Sequence, residues 1–206
     1  MGRELLLLVH RVPTDGAFTL NDLAGGGGRM DEVARVLSCA LSLSNGLRKD
    51  VRVSLLLHGN DRTPDRRIVV EGSRVRYLNP DERSTAALLK NALVRSLAAS
   101  APVESSPGLT VDARPVLEEL RAFLAHPEAL WLTEDGEPLR TRSGGEEVAA
   151  VLSDPTGPTE EEERVLRESG VPRYSVGPRS LRSSQVVDIL WNELDLKEAG
   201  PGAAPP

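Results

Sequence analysis

The stretch that most constrains the fold runs from Ala149 to Leu196. Ala149-Ala150-Val151-Leu152 is an apolar run long enough for a buried strand and too short for a helix. It breaks into Ser153-Asp154-Pro155-Thr156-Gly157-Pro158, where two prolines keep the chain out of helix. Thr159 opens a Thr-Glu-Glu-Glu run whose Glu162 completes a capping box for a short helix to Glu168. Ser169-Gly170 ends that helix, and Pro172 to Pro178 forms a second small-residue loop. Val186, Val187, Leu190, Trp191 and Leu194 then recur at helical spacing. That is more apolar surface than the acidic short helix beside it can cover, so this stripe is expected to form a dimer interface. Loops rich in Gly, Pro and Ser after apolar strands expose backbone groups to a nucleotide-like ligand. On pattern alone, ordinary connecting loops compete with that reading.

The chain before this stretch alternates strands and helices. Glu4 to His10 reads as a first buried strand, and an irregular segment leads to Gly25-Gly26-Gly27-Gly28-Arg29-Met30-Asp31. A helix follows with Val33, Val36, Leu37, Ala40, Leu41 and Ser44 on one face and Asn45-Gly46 as its stop. Glycines before a helix can leave N–H groups free for an anion, although neither a dinucleotide fingerprint nor a P-loop is present. Val51 to His58 predicts a central, parallel strand ending at Gly59-Asn60-Asp61-Arg62. Arg67 to Glu71 predicts a third strand and Arg74 to Leu78 a half-exposed fourth.

Asn79-Pro80-Asp81-Glu82 predicts a helix start with Asn79 as the cap and Leu89, Leu93 and Leu97 as the buried stripe. Arg83 opposes the helix dipole, so it either pairs with Asp81 or Glu82 or faces an anion. Ser100 to Gly108 reads as a flexible connector and Leu109 to Val111 as a short strand. Arg114 to Leu124 reads as a helix, Ala129 to Thr133 as a buried strand, and Glu134-Asp135-Gly136 as a turn. The expected class is α/β with a mainly parallel sheet.

Leu5 to Val9 is too short for a secretory core or a membrane span. With one cysteine, Cys39, no intrachain disulfide forms, so a cytoplasmic location is expected. No His/Cys cluster has metal-ligand spacing, so no metal is expected. The net charge of −6 divides unevenly. Residues 1–100 carry 15 Lys+Arg against 11 Asp+Glu, and residues 101–206 carry 10 against 20. An anionic partner therefore belongs on the N-terminal half.

Several stretches together resemble the archaeal-type tRNA pseudouridine-54 N1-methyltransferases, a branch of the SPOUT (α/β-knot) RNA methyltransferases. They are Asp22-Leu23 through Gly25, Gly28-Arg29 and Asp31; Asn79-Pro80-Asp81-Glu82-Arg83; Ser105-Ser106-Pro107-Gly108; Leu152-Ser153-Asp154; and Pro178, Leu181, Asn192 and Leu194-Asp195. The resemblance implies a single SPOUT domain over residues 1–196, a disordered tail over 197–206, and a deep trefoil knot in the C-terminal half of the sheet. It also implies S-adenosylmethionine as cofactor, tRNA as substrate, and a homodimer whose partner helps complete the active site. By position, the cofactor loops fall at Leu132, at Ser153, and at Val176-Gly177-Pro178 through Leu181, with Val186 beside them.

The chemistry of such an enzyme is alignment of a nitrogen with a methyl group and assistance to proton loss. Asp61, at the tip of the second strand, is the expected assistant, Arg83 is expected beside it in the catalytic site, and Arg29 and Arg83 are expected to grip the RNA phosphates. Arg182-Ser183-Ser184-Gln185-Val186 departs from the family, which commonly carries histidines and a cysteine or small polar residue there. That departure resembles the bacterial members. It leaves open a knotted RNA-binding protein without catalysis, or methylation of a different RNA nucleotide; the net charge leaves open a small-molecule-binding protein with no RNA partner.

Overall fold

Leu5 to Val9 is apolar at every position because the strand β1 (Arg3–Val9) has a packed layer on each face. Leu5, Leu7 and Val9 enter one core and Leu6 and Leu8 the other. The structure, a computed structural model, describes residues 2–200. The elements after β1 are α1 (Met30–Leu41), the short pair β2 (Ser42–Leu43) and β3 (Gly46–Leu47), β4 (Val51–Leu57) and β5 (Arg66–Glu71). Next come α2 (Glu82–Ser96), β6 (Val103–Ser106), β7 (Leu109–Asp112), α3 (Val116–Leu124) and β8 (Ala129–Pro138). The chain closes with β9 (Val148–Ser153), α4 (Glu160–Glu168), β10 (Arg173–Ser175) and α5 (Ser183–Ala199).

The eight-stranded sheet runs β10-β8-β9-β1-β4-β5-β7-β6. Strands β10, β8, β9, β1 and β4 are mutually parallel, so their C-terminal ends share one edge. β5, β7 and β6 complete the sheet as antiparallel strands. Helices α1, α2 and α5 cover one face, and α3 with α4 covers the other. The class is the expected α/β, mainly parallel. β4 is central but parallel only toward β1, because the six-residue pairing with β5 reverses the chain.

Several local expectations fail for identifiable reasons. Arg74 to Leu78 is not a strand: the N–H groups of Arg74 and Val75 bond back to Glu71, and Tyr77 sits at φ 64, which ends any extended run. Asp81 caps α2, accepting a hydrogen bond from the Ser84 N–H at 2.8 Å, while Asn79 lies outside the helix and offers its carbonyl to Thr85. Leu97 is half exposed, so the buried stripe stops at Leu93. Asn45-Gly46 turns the β2–β3 hairpin after α1 has already ended. The expected connector after Ser100 contains β6, and Glu134 to Gly136 continues β8 instead of turning. β10 likewise forms inside the expected second loop.

The capping box on α4 is present as the sequence predicts, with Glu162 Oε2 accepting from the Thr159 N–H at 2.7 Å. Lys197 to Ala199 belong to α5, and the rest of the expected tail, from Pro201, lies outside the described residues. The apolar stripe of α5 is consumed inside the chain. Val187, Leu190, Trp191 and Leu194 are each at most 1% exposed, packed in the core with α1. That stripe therefore offers no surface for a dimer.

Candidate active site

The shared edge of the parallel strands is where an open α/β sheet places its ligands. There β8, β9, β10 and the start of α5 enclose a cavity of about 680 Å³. That volume is within the range of small-molecule and cofactor pockets. Its wall includes Leu132, Ser153, Val176, Gly177, Leu181 and Val186, six positions marked in the sequence; Pro178 is exposed beside it but is not part of the wall. The loops after β9 and β10 form much of the lining, so backbone groups are available to a planar polar ligand. The acidic residues Glu134, Asp135 and Asp154 line it alongside Arg179 and Arg182, with their carboxylates engaged by Ser180, by Thr133 and Arg173, and by His10. A molecule carrying a sulfonium, an ammonium, a carboxylate and a ribose finds partners of each required sign in this wall.

The other marked residues do not reach this wall. Asp61 is exposed in the turn between β4 and β5. Arg29 sits at φ 74 as the residue before α1, and its guanidinium forks onto the Asp31 carboxylate at 2.9 and 3.0 Å. Arg83 pairs with neither Asp81 nor Glu82; it donates to the Leu20 carbonyl at 2.9 Å and to Asn21 Oδ1 at 2.8 Å. The glycine loop is also occupied. Gly25 and Gly26 donate to the two carboxylate oxygens of Asp22, Gly27 to the Asp22 carbonyl, and Gly28 to that of Gly25. An internal carboxylate has taken the anion's place, and those bonds hold the Asp22 pKa below its ordinary value. Gly28, at φ 61, is obligatory because a Cβ there would lie 1.9 Å from the Arg11 carbonyl oxygen.

Sequence reasoning missed a buried charge cluster adjoining the cavity. His10 follows β1, His58 follows β4, and Asp154 follows β9, so three adjacent strand ends deliver them together. His10 Nδ1 lies 3.0 Å from Asp154 Oδ1 and its Nε2 lies 2.8 Å from Glu162 Oε2. His58 Nε2 lies 2.7 Å from Glu162 Oε1. Ionised carboxylates only accept hydrogen bonds, so His10 must carry protons on both nitrogens to satisfy both neighbours. Burial works against that charge, but the hydrogen bonds and Coulombic attraction of Asp154 and Glu162 outweigh it and push the His10 pKa up to about 9. Burial likewise opposes ionisation of Glu162 and Asp154. Hydrogen bonds from the histidines and from backbone N–H groups overcome it and hold both carboxyls below the usual range.

The donor atoms of His10, His58 and Glu162 lie within 4.8 Å of one another, close enough to suggest a metal site. The two imidazoles, however, are stacked 16° from parallel with centroids 5.0 Å apart. Their in-plane lone pairs run side by side and do not converge on a tetrahedral centre. The arrangement fits a proton-bridged ion cluster. The one signal in the sequence was a polar residue directly after each of three apolar strands, and it becomes readable only once the strand order is known.

Comparison with known proteins places this geometry in a class. Residues 2–199 match the family model described as "Putative SAM-dependent RNA methyltransferase". The tRNA (pseudouridine(54)-N(1))-methyltransferase of Methanosarcina mazei is 42% identical over 204 residues, covering 98% of this chain and 95% of its own. The protein of that name from Methanopyrus kandleri is 40% identical, covering 95% and 93%. The solved structure of Archaeoglobus fulgidus Nep1 bound to S-adenosylhomocysteine superposes with a TM-score of 0.61 at 16% identity, over 97% of this chain and all of that one, a likeness of fold. The chain belongs to the SAM-dependent RNA methyltransferase family.

Proposed function

We propose that this chain methylates N1 of pseudouridine 54 in tRNA, the reaction named for its relatives. The observation that carries this reading is the identity of 42% along nearly the full length of both chains. It is supported by a cavity at the sheet edge that fits the family's cofactor. When bound, S-adenosylmethionine supplies a methyl group on a sulfonium.

The residues of this chain do the rest. The β8, β9 and β10 loops hold and orient the cofactor through Leu132, Ser153, Val176, Gly177, Leu181 and Val186, with Pro178 stiffening the last loop. Asp61 accepts the N1 proton as the nitrogen reacts, from a turn braced by the Asn60–Thr63 bridge. Arg29 and Arg83 stand on the RNA side of the same half of the chain. Each would exchange a present partner, Asp31 or Leu20 with Asn21, for a phosphate. The reading also takes the family's trefoil knot, a homodimer that completes the site, one domain over residues 1–196 and a cytoplasmic location. Action on tRNA is the ground for that location.

The test is incubation with S-adenosylmethionine and tRNA carrying either pseudouridine or uridine at position 54, followed by nucleoside mass spectrometry. N1-methylpseudouridine from the first substrate alone is expected. Asp61→Asn should bind cofactor and RNA normally while losing about a hundredfold or more in rate, the usual cost of removing a positioned base. No methylation by the wild-type protein would remove the enzymatic reading. Full turnover by Asp61→Asn would remove only the role of that carboxylate.

A further inference from the structure

Three arginines are buried among the described residues, and two are fully compensated. Arg3, 2% exposed, faces Asp50, Asp195 and Glu198. Arg142, 8% exposed, bonds Glu128 and the carbonyls of Gly145 and Glu147. Arg66 is 5% exposed and has no such shell. Its Nε is buried with no hydrogen-bond partner, and among the described residues no carboxylate pairs with its guanidinium. Nε is the one guanidinium nitrogen cut off from both solvent and partner. The group is therefore largely desolvated with no counter-charge among the described residues, which is a costly arrangement. An anion from outside the chain would supply what Arg3 and Arg142 find within it.

The placement of Arg66 says which anion. It opens β5 directly opposite Leu57, the last residue of β4, on the face that Leu57 and Ile68 bury. It closes a tight loop from Gly59. Gly59 donates to Asp65 Oδ1 at 2.8 Å, Asn60 donates to the Thr63 carbonyl at 2.8 Å, and a Cβ on Gly59 would lie 2.1 Å from that same carbonyl oxygen. Asp65 is turned to backbone instead of to Arg66: its two oxygens accept from the Gly59 and Val116 N–H groups, and it forms no ion pair with the guanidinium. The Thr63 hydroxyl of this loop is also buried without a partner, and Arg62 stands exposed at its rim. β5 lies three strand spacings from β9 in the order β9-β1-β4-β5, roughly 14 Å, so the anion is not a group of a cofactor in the cavity.

We propose that Arg66, with the Thr63 hydroxyl and Arg62, forms an anion site that takes a backbone phosphate of the RNA beside the nucleotide being methylated. This rests on the RNA methyltransferase reading for the source of the phosphate. A planar guanidinium held by a rigid loop suits bidentate phosphate binding. Arg29 and Arg83, which the sequence offered for this task, already have partners inside the chain, whereas Arg66 lacks one.

Arg66→Met and Arg66→Lys test the site in the full-length protein. Thermal unfolding is measured in phosphate and in chloride at equal ionic strength, and tRNA affinity is measured across a salt series. Phosphate should raise the wild-type melting temperature and leave Arg66→Met unmoved. In chloride, Arg66→Met should melt no lower than wild type, since it removes an uncompensated charge. Its tRNA affinity should fall about tenfold, the loss expected for a charge-assisted hydrogen bond, with a log–log salt slope shallower by about 0.7 to 0.9. Arg66→Lys should keep the slope. Binding of S-adenosylhomocysteine should be unchanged in both.

A lower melting temperature for Arg66→Met in chloride would overturn the proposal, because it reveals a structural partner. So would an unchanged salt slope, or a loss of self-association, which would assign the counter-charge to a second copy of the chain. If wild-type protein binds no tRNA, the RNA reading fails by itself; the anion site is then supported by the phosphate-dependent melting shift or overturned by its absence.

Discussion

The His10 cluster makes stability fall on the alkaline side of neutrality, and the size of that fall follows from the geometry. Between two carboxylates, 3.0 Å from one and 2.8 Å from the other, the imidazole holds its proton to about pH 9, against 6.5 when unfolded. The folded pKa is the higher of the two, so the stabilisation is fully present below pH 6.5. It is lost as the pH rises through 9. Across that window the native state binds one more proton than the unfolded chain, which gives a slope of about −1.4 kcal/mol per pH unit. Integrated, the loss is about 3 kcal/mol, a large fraction of a typical stability of 5–15 kcal/mol. Urea unfolding at intervals from pH 6 to 10, on wild type and His10→Gln, isolates this contribution as the difference between two curves. The variant should be the less stable protein at pH 6.5, and the gap should close by pH 10. Parallel curves would refute the reasoning, as would a nuclear magnetic resonance titration placing the His10 pKa near 6.5.

Two further substitutions test the elements around the site. Asp81→Ala should cost about 1 kcal/mol in urea unfolding, because the Ser84 N–H loses its capping partner; Asn79→Ala should cost nothing measurable, since only the Asn79 carbonyl is used. Val186→Phe should lower S-adenosylhomocysteine affinity tenfold or more in calorimetry, with a melting temperature within about 2 °C of wild type. Val186 lines the cavity and is only partly buried, packing against the edge of the core, so unaltered affinity would show that the cofactor lies elsewhere.

Much of the scaffold was legible from residue order alone, because it rests on short-range physics. The apolar runs at Leu5–Val9, Leu55–Leu57 and Ala149–Leu152 lie in strands, since a run buried on both faces needs no partner information to be recognised. The Thr159–Glu162 capping box is local and was readable for the same reason. The loops at Ser153 and Val176–Leu181 stood out by composition, and both line the cavity. Position by position these features also resembled one methyltransferase family, to which the chain belongs.

What the chain order hid was every feature made by pairing across distance. The Arg74–Leu78 stretch alternates like a strand, but hydrogen bonds back to Glu71 and the left-handed Tyr77 turn it instead. The apolar stripe of α5 looked like surface for a partner until α1 was seen to cover it. Sequence assigned Glu162 a capping role; only the order β9-β1-β4 brings His10 and His58, 48 residues apart, onto its two oxygens. The family resemblance favoured Arg29 and Arg83 as phosphate ligands, yet folding gives both of them internal partners and leaves the buried Arg66 without one. Helix caps and buried runs depend on neighbours within a turn or two, which sequence states directly. The state of a charge depends on which distant groups share its desolvated space, and only the folded arrangement of strands and helices decides that.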